Sequence, residues 1–220
     1  MAKADKDIDA ILKEMHNSNG VAKGDPGERA VLKICEEFYQ QQGGILYHSY
    51  EYTTDRELPG NVKKDENTGN LYIENLGSTT EIDVLLVTPF RVFPIEVKAY
   101  RAKKITFTDR EIAGCRVTTK SPVHQNEMHC RHLYSRLFKA LPNGDTSYIV
   151  PLVVLVDKCT VVDERSDWQK EYIKICTLNT LRKTLIQYNT PGDFKLNLTS
   201  VDNTLKDIRT SYNKYLTVRI

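Results

Sequence analysis

The stretch that decides the fold is "EIDVLLVTPFRVFPIEVKAY", residues 81 to 100. Two apolar runs flank "TPFR", which predicts a β-hairpin turning near Pro89 and Phe90. Three charged side chains interrupt it: Asp83 in the first run, Glu96 and Lys98 in the second. Residues two apart on a strand share a face, so Glu96 and Lys98 project together while Ile95 and Val97 point into the opposite layer. The hairpin sets Asp83 opposite residue 96, give or take one, and the two carboxylates converge. Carboxylates crowded in a partly buried place repel and take up a proton unless a cation lies between them. A hard divalent ion such as Mg²⁺ or Mn²⁺ takes oxygen ligands and resolves that conflict. The competing reading is plain: a Glu–Lys pair on a surface strand is commonplace.

Outward from the hairpin, the periodicity gives the layers. Ile8, Ile11, Leu12 and Met15 predict an amphipathic helix over residues 5–16. "GERAVLKICEEFYQQQ" predicts a second, with Pro26 just ahead of it and Gly43-Gly44 just past it. "ILYHSYEY" alternates as a strand, and "DRELPGNVKKDENTGN" is polar enough for an exposed loop or long hairpin tip. "KITFT" suggests a short strand, and "SPVHQNEMHCRHLYSRLFKAL" a helix with a Ser-Pro start. "SYIVPLVVLVD" is a continuous apolar run, expected as a strand covered on both faces. Beyond it come a surface turn around Trp168, a strand at "YIKICTL" and helices at "NTLRKTLIQYN" and "VDNTLKDIRTSYNKYL". The expected fold is an α/β sandwich, a central mixed β-sheet flanked by α-helices.

Composition narrows the class. The chain has 220 residues, 40% hydrophobic and 27% charged, with a formal net charge of +2. That suits one domain with elaborations, and the balance alone does not announce a polyanion ligand. Five cysteines without a C-x-x-C suggest free thiols in a reducing cytoplasm. The N-terminal stretch is charged throughout and unlike a secretory signal. The longest apolar run is far short of a membrane span.

Two further segments bear on the site. At about 100° per residue, Gln125, His129, His132 and Arg136 form one polar stripe beside an apolar face of Leu133, Tyr134, Leu137 and Leu141. Cys130 turns away from His129 and His132, which argues against a zinc cluster there. Glu28 opens the second helix, where an acidic residue also suits the helix dipole, so that position by itself reads either way.

Taken in order, "GERAV", "EIDVLLVTP", "FPIEVKAY" and "SPVHQNEMH" resemble the nuclease-related domain, a branch of the PD-(D/E)xK nuclease superfamily. The resemblance covers roughly residues 24 to 157. It implies a restriction-endonuclease-like fold and a metal-dependent nuclease, DNA favoured over RNA as substrate. Block by block it implies a site of Glu28, Asp83, Glu96, Lys98 and Gln125. Asp83 and Glu96 would hold Mg²⁺ or Mn²⁺, with Glu28 assisting directly or through water. Lys98 would orient the attacking water and Gln125 would position metal or phosphate. The expected organisation is an N-terminal helical extension (1–22), the nuclease core (23–157) and a C-terminal α/β elaboration packed on it (158–220).

The segment after the E-x-K strand fits a polyanionic partner. Between Lys98 and Lys120, the basic residues Arg101, Lys103, Lys104, Arg110 and Arg116 face only Asp109 and Glu111. Arg101, Lys103, Lys104, Arg116 and Lys120, together with His129, are the expected nucleic-acid contacts. The rival readings are a binding module of the same fold that does not cut, and a structural α/β domain with a satisfied ion cluster. A cut through both strands needs two sites, which a homodimer would supply.

Overall fold

In a computed structural model of the chain, the described residues are 24–53, 61–64, 71–74, 79–100, 102–114, 121–192 and 194–214. The expected helix at 5–16, the 1–22 extension, and Arg101, Arg116 and Lys120 lie outside them.

Helix α1 (Gly24–Gln42) begins two residues before Pro26, not just after it. Proline fits there because first-turn N–H groups have no helical partner to lose. The helix stops at Gly43, whose N–H donates to the Tyr39 carbonyl at 2.7 Å. Gly44 has φ +145°, and a Cβ there would lie 2.1 Å from the Val87 carbonyl oxygen. Only glycine lets the chain turn this closely past the sheet.

Strands β1 (Ile45–Thr53), β4 (Thr79–Val87) and β5 (Val92–Lys98) form an antiparallel meander. Between β1 and β4 the short strands β2 (Asn61–Lys64) and β3 (Leu71–Glu74) pair as a separate hairpin. The β4–β5 turn falls at Pro89-Phe90, as expected. Thr88 fixes it, its N–H donating to the Arg91 carbonyl at 2.8 Å while its hydroxyl oxygen accepts from the Phe90 and Arg91 N–H groups.

The chain continues through β6 (Lys104–Phe107) and β7 (Ile112–Ala113) to helix α2 (Pro122–Leu137). Strand β8 (Leu152–Leu155) then lies parallel to β5, and β10 (Lys174–Thr177) parallel to β8. The central sheet thus has the order β1-β4-β5-β8-β10 and is mixed. A small three-stranded sheet joins β7, β6 and β9 (Thr160–Asp163). Helices α3 (Asp167–Tyr172), α4 (Leu178–Tyr188) and α5 (Leu198–Lys214) are the last helices among the described residues.

Two further expectations change. The apolar run at 147–157 is a strand only over Leu152–Leu155, because Pro151 offers no N–H to the ladder. Before it the chain forms a 3₁₀ turn at Thr146–Tyr148 and a single bridge from Ile149 to Val92. The surface turn at Trp168 is the short helix α3. It leaves Trp168 exposed but buries Gln169, next to the buried Arg165, which pairs with Asp163 at 2.8 Å.

Helices cover both faces. On one face α1 and α4 pack Val31, Phe38, Leu181 and Leu185 against Val84, Leu86, Ile95 and Leu152. On the other, α2 and α5 pack Leu133, Leu137, Val201 and Leu205 against Tyr50, Tyr52, Ile82 and Leu85. No helix among the described residues is long and apolar enough to cross a membrane.

Candidate active site

The site lies where the central sheet forks. The β4–β5 ladder stops at Val84↔Ile95. Beyond that pair β4 runs on beside β1 alone, and β5 beside β8 alone. Across the fork the Val97 N–H donates to Asp83 Oδ2 at 2.7 Å, so a carboxylate replaces the absent strand partner.

Two strands change face at this point. In β4, Ile82 faces the α2–α5 layer, Val84 the α1–α4 layer, and Leu85 the α2–α5 layer again. In β1 the inward set on that same layer passes from Ile45 and Tyr47 to Tyr50 and Tyr52. Strict alternation forbids both shifts. The backbone of Ser49, at φ +48°, absorbs the one in β1. Ser49 also stands opposite Asp83, in the single gap of the β1–β4 register. Backbone held in a left-handed conformation without glycine costs about 1–3 kcal/mol and persists only where its surroundings enforce it. Here it accompanies the turning of Asp83 edgewise into the fork.

Glu96 and Lys98 share the α2 face of β5. The Lys98 ammonium ion-pairs with Glu96 Oε1, and the Glu96 side chain is fully buried. Its other oxygen, Oε2, has no hydrogen-bond donor among the described residues and lies 3.7 Å from His129 Nδ1. Burial pushes the Glu96 carboxyl up to about 7; the charge of Asp83 adds to the rise, and Lys98 opposes it. Burial also raises Asp83, to about 6, against the Val97 hydrogen bond and Lys98. Glu28, in the first turns of α1, raises both carboxyls further. Its own Oε2 is 3.6 Å from His48 Nε2.

Helix α2 closes the other wall. It starts at Pro122, as the Ser-Pro pair predicts, although Ser121 makes no side-chain cap. Asn126 ties it to the sheet, its amide donating to the carbonyls of Leu152 at 2.7 Å and Pro94 at 3.3 Å. Gln125 is half-buried, one turn before His129. His129, expected on an open polar stripe, is instead 5% exposed and lies against Glu96. Burial, with the Lys98 charge, holds its imidazole down at about 4 and therefore neutral. Lys103 and Lys104 are exposed beyond the end of β5.

The fork thus brings Asp83, Glu96 and Lys98 together, with His129 against Glu96 and Glu28 near enough to be felt electrostatically. Among the described residues no three His, Cys, Asp or Glu side chains form a ready ligand cluster. The donor set is the Asp83–Glu96 pair. Two carboxylates, one of them buried with an oxygen that meets no donor among the described residues, suit a hard divalent cation completed by water. Two contributors escaped the sequence reading. Asn126 carried a signal, as a polar residue on the stripe of Cys130, Leu133 and Leu137. His48 carried none.

The family model for the nuclease-related domain matches residues 23–156. No protein of curated function matches the chain. Among solved structures, the small subunit of the heterodimeric restriction endonuclease R.BspD6I is 14% identical, at a TM-score of 0.38, over 96% of this chain and 100% of that one. The MspJI restriction endonuclease in complex with a 27-mer oligonucleotide is also 14% identical, at 0.27, over 100% of this chain and 39% of that one. Both structural likenesses are too loose to carry weight.

Proposed function

The chain belongs to the nuclease-related domain family, and on that premise we propose that it is a divalent-metal-dependent nuclease, more narrowly a DNA endonuclease of the cytoplasm. The observation that carries this is Glu96: fully buried, ion-paired with Lys98 on one oxygen and without a donor among the described residues on the other, at the fork that also holds Asp83.

In this reading Asp83 and Glu96 hold Mg²⁺ or Mn²⁺. When bound, such an ion polarises a phosphoryl oxygen and makes water a nucleophile near neutral pH. The chain's own groups do the rest. The Val97 N–H fixes the Asp83 carboxylate through one oxygen and leaves the other for ligation. Lys98 orients the attacking water and neutralises charge that grows on the phosphate in the transition state. His129, neutral, backs Glu96 and keeps bulk water from its inner oxygen. Glu28 assists from α1, directly or through water, and Gln125 positions the phosphate from α2. Water attacks phosphorus in line with the departing oxygen; one P–O bond forms, the ester P–O bond breaks, and the leaving oxygen takes up a proton.

The test is purified protein on supercoiled plasmid, single-stranded DNA and RNA, each with Mg²⁺, Mn²⁺ or EDTA. Expected is plasmid nicking or linearisation in metal and none in EDTA. Binding without cleavage under every metal would favour a non-cutting module, and neither binding nor cleavage would leave a structural domain.

A further inference from the structure

We propose that the groove beyond the C-terminal ends of β8 and β10, lined by Lys103, Lys158, Thr177 and Asn179, holds phosphates of the nucleic-acid strand next to the one being cut. The inference rests on the nuclease reading and extends the substrate track from Lys103 onto Lys158 and Asn179, which lie outside the family's matched span of 23–156.

Position is the first ground. Lys98, Leu155 and Thr177 stand in register across β5, β8 and β10, so the groove continues the sheet edge on which the fork opens. Its floor is tied to the site, since the Val156 N–H donates to the Lys98 carbonyl at 3.0 Å. At about 5 Å per strand, the rim at Thr177 lies roughly 10 Å along that edge. A strand carrying one phosphate per roughly 3.4 Å of rise spans this in a few nucleotides.

Chemistry is the second. Lys103 and Lys158 are exposed, and neither forms an ion pair among the described residues. Backbone bonds hold their loops: the Thr160 N–H donates to the Lys103 carbonyl at 2.9 Å, and the Cys159 N–H to the Asp157 carbonyl at 3.0 Å. Lysine and asparagine are among the side chains that take phosphate oxygens. Among the described residues that line the groove, Asp157 is the one acid. Thr177 lines the groove, but its hydroxyl is engaged with that of Thr180 at 3.2 Å in the capping box of α4, so Lys103, Lys158 and Asn179 are the groups that meet phosphate.

The experiment measures binding of a labelled duplex and a labelled single strand against salt, in EDTA and in Ca²⁺. It compares wild type, the Lys103→Ala/Lys158→Ala double variant, Asn179→Ala, and Lys195→Ala as a control near Phe90 at the opposite end of β5. Expected for the double variant is roughly tenfold weaker binding and a salt slope shallower by about 1–2, one contact per lysine. Asn179→Ala should weaken binding with the slope kept, and Lys195→Ala should change neither. Wild-type binding with an unchanged slope in the double variant, or an equal loss in Lys195→Ala, would overturn the groove and leave the nuclease reading standing. No binding by wild type would overturn both.

Discussion

At the scale of single residues, the carboxyl of Glu96 sets the energetics. Its folded value near 7 exceeds the ordinary carboxyl value near 4, so the folded chain binds more protons than the unfolded chain between those limits. Stability from this group is full below about pH 4 and is lost as pH rises through 7. His129 acts in the opposite sense: held neutral down to about 4, it favours the folded state increasingly as pH rises from 4 to about 6.5. The Glu96 contribution is therefore read as a difference. Metal-free Glu96→Gln should be more stable than wild type by about 1–3 kcal/mol at pH 8, with the gap closing by pH 4.5. Urea midpoints in EDTA measure it; a variant equal to or weaker than wild type at pH 8 contradicts the account. Mg²⁺ or Mn²⁺ should stabilise wild type and leave the variant nearly unmoved. The meeting of Asp83, Glu96 and Lys98 was legible in sequence, because period-two alternation and hairpin arithmetic depend only on local geometry. The place of His129 was not: a helical wheel gives direction around the axis but not depth, and this rim position is buried.

At the scale of elements, the fork is the device that joins strand chemistry to helix chemistry. Most strands and helices could be read from periodicity, but not the end of the β4–β5 ladder at Val84, nor the exchange of faces in β1 and β4. Those depend on tertiary packing, which turns Ser49 to φ +48° against the preference of an ordinary strand. A test follows from that angle. Valine favours strands, yet Ser49→Val should cost about 1–2 kcal/mol, because a β-branched side chain does not fit the left-handed region. Ser49→Gly should be near neutral, relief of strain offsetting glycine's greater entropy loss on folding. Thermal midpoints decide, and a neutral or stabilising valine would show that the inversion in β1 is not enforced.

At the scale of the whole molecule, the matched span ends at residue 156, but the core does not. Strand β10 pairs with β8, and Leu181 and Leu185 of α4 lie in the same cluster as α1. On the other face α5 buries Val201, Leu205 and Ile208 against Tyr50 and Tyr52, and Tyr50 donates to the Leu205 carbonyl at 2.7 Å. Each large apolar side chain is worth about 1.5–3 kcal/mol of burial, against a whole-domain stability of about 5–15 kcal/mol. A chain truncated after Val156 should therefore lose cooperative unfolding by circular dichroism; a sharp transition retained there would contradict this. The sequence leads one to expect that this segment packs on the core, but not which layer each helix joins, since an amphipathic helix shows that it has an apolar face but not which sheet face it covers. The central claim is that Asp83, Glu96 and Lys98 form one phosphodiester-cleaving centre. Its most direct test is the cleavage rate of supercoiled plasmid in Mn²⁺ by wild type, Asp83→Asn and Lys98→Ala, each first shown folded by its unfolding transition. The account predicts metal-dependent cleavage by wild type and a loss of roughly 100-fold or more in each variant. Wild-type rates in either folded variant would contradict it.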